Sequence, residues 1–178
     1  MILTSKNIKL RALEPSDVDI IYQWENDTRV WSITNTVSPF SKHVIEQYVA
    51  NSHLDIYSTK QLRLMIEMND VNLKGKLIGC VDLFDFDPNN CRAGVGILIA
   101  DAEERNKGYA SETLVLLINY AFNVLNLHQL YCNISVDNEA SLKLFQKHEF
   151  KIGGIKKEWI RTNDQWVDVY FLQRLHKC

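Results

Sequence analysis

The chain has 178 residues, 46% of them hydrophobic and 24% charged, which is the balance of a globular protein and a length suited to one domain. Seven glycines and three prolines are too few for a collagen-like, low-complexity or linker-rich chain. Twenty Lys and Arg against 22 Asp and Glu leave a formal charge of −2 with no run of one sign, so neither a nucleic-acid nor a membrane partner is expected.

The four cysteines, Cys80, Cys91, Cys132 and Cys178, form no CxxC pair, and no histidine stands at metal-ligand spacing from them. No metal site or redox pair is expected, and the thiols read as reduced. The segment Met1 to Lys6 lacks the basic-then-apolar layout of a secretion signal, and apolar runs such as Leu114 to Ile118 fall far short of the ~18 residues of a membrane span. A cytoplasmic location is expected.

Taken in order, Ile8 and Leu10 alternate with Lys9 and Arg11 as a short strand that Glu14-Pro15 ends. Ser16 with Asp19 three residues on reads as a capping box before a helix carrying Val18, Ile21, Tyr22 and Trp24. Trp31 to Thr36 reads as loop. Ser38-Pro39-Phe40-Ser41 then opens a second helix with Val44, Ile45, Tyr48 and Val49 on one face. Alternation through Gln61 to Met68, Lys76 to Phe84 and Cys91 to Ile99 predicts an antiparallel meander, its last two strands joined by Asp87-Pro88-Asn89-Asn90. Leu114, Leu117, Ile118, Ala121, Phe122 and Leu125 fall at offsets of three and four, a long amphipathic helix. A strand at Tyr131 to Val136, a helix at Ala140 to Lys147 and a hairpin of Lys156 to Arg161 with Gln165 to Leu172 follow, turning at Thr162-Asn163-Asp164. The order β-α-α-β-β-β-α-β-α-β-β predicts one α/β (α+β) domain over residues 1–178, with a mixed sheet of about seven strands.

The informative stretch is Arg105-Asn106-Lys107-Gly108-Tyr109-Ala110, between the strand ending at Ile99 and the long helix. A loop there leaves backbone N–H groups unpaired at a helix N-terminus, where the dipole also favours an anion. Gly108 permits close approach, and Arg105 and Lys107 add positive charge. A plain strand-to-helix turn with solvated cations accounts for the same residues equally well. Spacing excludes two phosphate loops. Lys107-Gly108-Tyr109 is not the Gly-Lys-Ser/Thr of a nucleotide-triphosphate loop, and Gly94-Val95-Gly96 has Ile99 where a dinucleotide fingerprint needs its third glycine.

Strand, Arg105-x-x-Gly108-x-Ala110, helix, strand and Asn138-x-x-Ser141-x-x-x-Phe145 together resemble the GNAT superfamily of acyl-CoA-dependent N-acyltransferases. Tyr120 to Leu127 and the Leu130-Tyr131 strand start resemble the spermidine N-acetyltransferases, and the protein N-terminal alanine acetyltransferases share the layout. The resemblance implies acetyl-CoA as cosubstrate, with its pyrophosphate on the backbone amides of Arg105, Asn106, Lys107, Gly108, Tyr109, Ala110 and Ser111. Its pantetheine would run along Ile97, Leu98 and Ile99, with Asn138 touching the far side. For Asn138 a helix N-cap is the competing reading. The acceptor implied is a primary amine, on a polyamine or a protein or peptide N-terminus, and a homo-oligomer is left open.

Direct transfer needs a neutral amine, support for the oxyanion and a tolerable leaving thiolate. Asp82 is the candidate base, with Asp85 and Glu25 beside it, although each also reads as a solvated surface carboxylate, and water could serve. Trp31 and Asp85 are the acceptor-side candidates. Tyr22, Trp24, Trp159, Trp166 and Tyr170 fit either a pocket or the core. His148 reads as a solvated histidine at a helix end. Three positions depart from the relatives. Phe145 stands where many carry the tyrosine that protonates the thiolate, Glu149 where they have glycine, and Gly94 where spermidine enzymes have glutamate. The missing tyrosine motivates the alternative of a non-catalytic acyl-CoA-binding module.

Overall fold

The described residues form seven strands: β1 (Ile8–Arg11), β2 (Leu62–Met68), β3 (Leu77–Asp87), β4 (Arg92–Ile99), β5 (Gln129–Ser135), β6 (Lys151–Thr162) and β7 (Gln165–Leu175). The computed structural model describes residues 3–34, 36–69, 75–162 and 164–176; Asn163 of the expected hairpin turn and the Cys178 thiol lie outside them. The strands form one sheet in the order β1-β2-β3-β4-β5-β7-β6. Every neighbouring pair is antiparallel except β4 with β5, which is parallel. A parallel pair needs a crossover, and α5 (Tyr109–Asn123) supplies it.

Four helices lie between β1 and β2: α1 (Val18–Glu25), α2 (Thr28–Thr34), α3 (Lys42–Ala50) and α4 (Ile56–Thr59). The sixth, α6 (Glu139–Lys147), joins β5 to β6. One face of the sheet packs Val81, Leu83, Val95 and Leu130 against Leu114, Leu117 and Phe122 of α5 and Phe145 of α6. The other packs Met65 and Cys80 against Ile21 of α1 and Ile45 and Val49 of α3. Removing these side chains from water holds the layers together, at about 25 cal/mol per Å² of apolar surface. Among the described residues no helix is long and apolar enough to cross a membrane.

Three expectations need correction. The Trp31 to Thr36 loop is largely helix, since α2 runs to Thr34. Its β-branched residues have low helical propensity, and Asp27 starts it by accepting the Arg29 N–H at 3.0 Å. Four-residue α4, capped by Asp55 accepting the Ser58 N–H at 2.8 Å, was too short to show a period. The Ser16/Asp19 capping pair is not used. The chain enters α1 through a 3₁₀ turn at Pro15–Asp17, where the buried Asp17 carboxylate accepts the Glu14 N–H at 2.8 Å and both Arg11 terminal nitrogens at 2.7 and 2.8 Å.

Glu149 follows α6 with φ +64°, the left-handed conformation that glycine adopts without steric cost. Its carboxylate meets Arg174 at 3.3 Å, an exposed pair of small worth. Glu149→Gly is expected to raise the unfolding free energy by up to about 1 kcal/mol, because the relief of the left-handed strain exceeds the lost ion pair. Urea unfolding of both proteins checks this, and a clear loss of stability would refute the assignment of strain.

Candidate active site

Pairing between β4 and β5 covers three residues, Arg92 with Gln129, Ala93 with Leu130 and Gly94 with Tyr131. Beyond Gly94, β4 keeps its antiparallel partner β3, through Ile97 with Val81, Leu98 with Cys80 and Ile99 with Gly79, while its edge toward β5 is released. The two strands therefore splay. A cleft of about 510 Å³ fills the opening, lined by Val95, Gly96 and Ile97 from β4, Asn133 from β5, and Asn138 and Phe145 around α6. That volume is in the range of small-molecule sites.

The loop from β4 to α5 continues from the released end of β4. Arg105 donates from Nε to the Ile99 carbonyl at 2.9 Å. Asn106 takes φ +61°, which asparagine tolerates, and Gly108 takes φ +91° as the N-cap of α5. Gly108 has no side chain to offer the first turn, and the intrahelical ladder starts with the Glu112 N–H to the Gly108 carbonyl at 3.1 Å. The N–H groups of Tyr109, Ala110 and Ser111 thus point out of the helix end without intrahelical acceptors. An ideal Cβ on Gly108 would meet nothing within 4 Å, so the approach to these donors is open. An anion fits here. The positive charge comes from Arg105 more than from Lys107, whose Nζ lies 2.9 Å from the buried Glu104 carboxylate that Lys76 also holds at 2.7 Å.

Other expected residues fall in distinct places. Asn138 is the N-cap of α6, accepting the Ser141 N–H at 3.1 Å, and it lines the cleft as well. Phe145 is 3% exposed and packs edge-on against Phe150 with ring centroids 5.0 Å apart. Asp82 faces Gly96 across the β3–β4 pair, and both its oxygens are taken by Arg63, at 2.7 and 3.1 Å. The same guanidinium reaches Glu25 and lies over the Tyr48 ring, 5.6 Å from its centroid. Burial pushes the neighbouring Tyr48 hydroxyl and Cys80 thiol each up to about 12, so both stay protonated. Arg63 drew no notice in the sequence, because a lone arginine in a strand carries no motif.

Asp85 sits at the β3 irregularity with φ +49° and accepts the Tyr131 hydroxyl at 3.1 Å, outside the cleft lining. Burial and Asp85 together push that tyrosine up to about 12. Trp31 belongs to α2, half-buried, donating from its indole to the Glu25 carbonyl at 2.9 Å, and it too lies outside the lining. On the last hairpin Trp159 lines the cleft, Tyr170 packs against the core and Trp166 is exposed. His148 is not solvated. It is buried behind the loop, with Nε2 2.8 Å from the Ser111 hydroxyl. Gly94 is covered by the Phe84 ring, whose Cε2 would lie 2.3 Å from an added Cβ, so β4 has no room there for a carboxylate side chain.

Residues 7–151 match the acetyltransferase (GNAT) domain family, well over half of the chain. The chain belongs to the GNAT acetyltransferase family. It is 28% identical over 172 residues to the spermidine N(1)-acetyltransferase of Vibrio cholerae, covering 95% of each chain. It is 26% identical over 170 residues to the L-amino acid N-acetyltransferase AaaT of Escherichia coli, covering 94% of this chain and 98% of that one. Among solved structures, the Vibrio cholerae spermidine N-acetyltransferase in complex with CoA and spermine superposes with a TM-score of 0.82 at 26% identity, covering 96% of each. The protein is an acyl-CoA-dependent N-acetyltransferase with the fold that its element order predicted.

Replacing Arg63 by Met in this acetyltransferase leaves Asp82 and Glu25, with side chains 18% and 20% exposed, without their cation. The expected loss is about 3 kcal/mol in denaturant unfolding, most of it recovered by adding Asp82→Leu. An unchanged single variant would show that the cluster carries no structural weight.

Proposed function

We propose that the protein moves an acetyl group from acetyl-CoA to a primary amine by direct attack of the amine nitrogen on the thioester carbon, with residues 1–178 acting as one N-acetyltransferase domain. The observation that carries this reading is the arrangement of a cleft between the splayed β4 and β5 with a glycine-capped helix N-terminus that follows the released end of β4. In this reading the N–H groups of Tyr109, Ala110 and Ser111 hold the pyrophosphate, and the released edge of Ile97, Leu98 and Ile99 takes the pantetheine as an added strand. Asn138, already spending its carbonyl oxygen on Ser141, faces the cofactor with its amide. The CoA complex of the Vibrio cholerae structure supports the same donor.

The amine delivers two electrons to the carbonyl carbon, loses a proton to solvent or to a carboxylate, and the thiolate departs. Asp82 is held by two bonds from Arg63, so water is the better-placed acceptor in this reading and Asp82 acts by orienting the guanidinium. Phe145 lines the cleft and has no proton to give; an alkyl thiol with a pKa of about 8.5 leaves tolerably as its anion. Spermidine and L-amino acids, the substrates named for the two relatives, share a primary aliphatic amine, and that group is the acceptor. A polyamine or a protein or peptide N-terminus supplies it. The polyamine reading draws on the spermidine relatives, although Glu25, Asp82 and Asp85 are each engaged by Arg63 or Tyr131.

Thiol detection over a panel of polyamines, amino acids and short peptides is expected to show CoA release that depends on an amine; tight binding without release would refute a transferase reaction. Gly108→Asp is expected to abolish acetyl-CoA binding by calorimetry in a folded protein, since it sets a negative charge on the anion's approach. Unchanged affinity would remove the pyrophosphate assignment. Phe145→Tyr is expected to raise the turnover, at most by the ~10²- to 10⁴-fold that a positioned acid supplies, or to leave it unchanged. Loss of all turnover in Phe145→Leu, which has neither ring nor hydroxyl, at constant fold and acetyl-CoA affinity would show that the ring itself positions the substrate.

A further inference from the structure

Ser111 is the third residue of α5, and its hydroxyl does not face solvent alone: it lies 2.8 Å from Nε2 of His148. His148 is 9% exposed, the residue after α6, and its backbone is fixed from the other side by the Arg174 guanidinium donating to its carbonyl at 2.7 Å. A buried imidazole is thereby bonded directly to the helix turn whose N–H groups form the anion site. The geometry points to His148 as a positioning residue for acetyl-CoA: through Nε2 it sets the direction in which the Ser111 hydroxyl offers its proton, and so couples pyrophosphate binding to its own charge. This rests on the reading that the pyrophosphate sits at the α5 N-terminus.

A hydroxyl has one proton to donate and two lone pairs, and an imidazole nitrogen either donates or accepts. With His148 neutral and protonated on Nδ1, Nε2 accepts and the Ser111 proton turns inward, away from the loop. Once His148 is charged, Nε2–H donates to Oγ. The hydroxyl proton is then released toward the loop and joins the three backbone donors. An anion bound there stabilises the charged imidazole in turn.

The groups around His148 set its resting state. Burial first, then Lys147 on α6 and Arg174 on β7, hold the imidazole below its ordinary value, so it is neutral near pH 7. Glu149, the next residue, is engaged by Arg174, and Glu112 of α5 is turned toward Ser5 and Asn7. Anion binding raises the pKa of His148. Acetyl-CoA affinity therefore rises as pH falls through the pKa of the complex and levels off below that of the free enzyme, and binding takes up a proton between the two.

The test is calorimetry of acetyl-CoA binding to the whole protein at about pH 5.5 and about pH 7.5, in two buffers of different ionisation heat, for the wild type, His148→Gln and Ser111→Ala. Phosphate titration of the ligand is common to all three and cancels. The wild type is expected to gain several-fold more affinity on acidification than either variant and to take up a proton fraction that both variants lack. Variants that keep the wild-type pH ratio and proton uptake would overturn the proposal. So would variants that lose affinity equally at both pH values, since that pattern is merely structural. If Gly108→Asp abolishes binding while the His148 and Ser111 variants behave as wild type, the coupling fails alone; if Gly108→Asp binds normally, the pyrophosphate reading fails with it.

Discussion

Only three residue pairs join the parallel strands β4 and β5 before they separate, and the rest of the site depends on that separation. Because β4 retains β3 along its other edge, the divergence opens a slot without unravelling the sheet. The crossover that a parallel pair requires brings the N-terminus of α5 to the carboxyl end of β4, the place where open α/β sheets bind ligands. Released backbone groups and a cleft of about 510 Å³ thus follow from topology, and a helix dipole stands beyond the end of the same strand, with few specialised side chains. Glycine at the cap then decides what the helix end can do. In α3, α4 and α6 the caps Ser41, Asp55 and Asn138 spend a side-chain oxygen on their own first turns, whereas α5 leaves its donors for a ligand.

Charge around the slot is balanced within the protein. Arg63 ties Asp82 on β3 to Glu25 on α1, joining the helical layer to the sheet beneath it. Lys76 and Lys107 share Glu104 below the loop, which leaves Arg105 as its main contribution of positive potential. On β4 the Phe84 ring occupies the space over Gly94 and meets Tyr131 edge-on, with centroids 6.0 Å apart. The carboxylates of Asp82, Asp85 and Glu25 are thus engaged by Arg63 or Tyr131.

Much of this was legible in the sequence because the elements involved are long and periodic. The meander and the α5 face at Leu114, Leu117, Ile118 and Phe122 each show their period over eight residues or more, and the last hairpin shows it over six and eight. The loop from Arg105 to Ala110 was visible because glycine and cations cluster there between two such elements. Short elements without a period were hidden, as α2 and α4 show. Contacts between distant strands were hidden too. Arg63 and Asp82 are 19 residues apart and meet only through the β2–β3 register, and His148 reaches Ser111 across 37 residues. A histidine after a helix looks solvated until the packing of α6 on α5 buries it. The left-handed position of Glu149, by contrast, was signalled by the glycine that the relatives carry just past this helix end.

In the proposed complex acetyl-CoA lies along β4 with its pyrophosphate on the first turn of α5. Backbone amide NMR during titration with acetyl-CoA tests it most directly. The largest shifts are expected on Tyr109, Ala110 and Ser111 and on the released edge from Ile97 to Ile99, moving together and saturating at one equivalent. Saturable binding that leaves those amides in place, with its shifts elsewhere on the molecule, would contradict it.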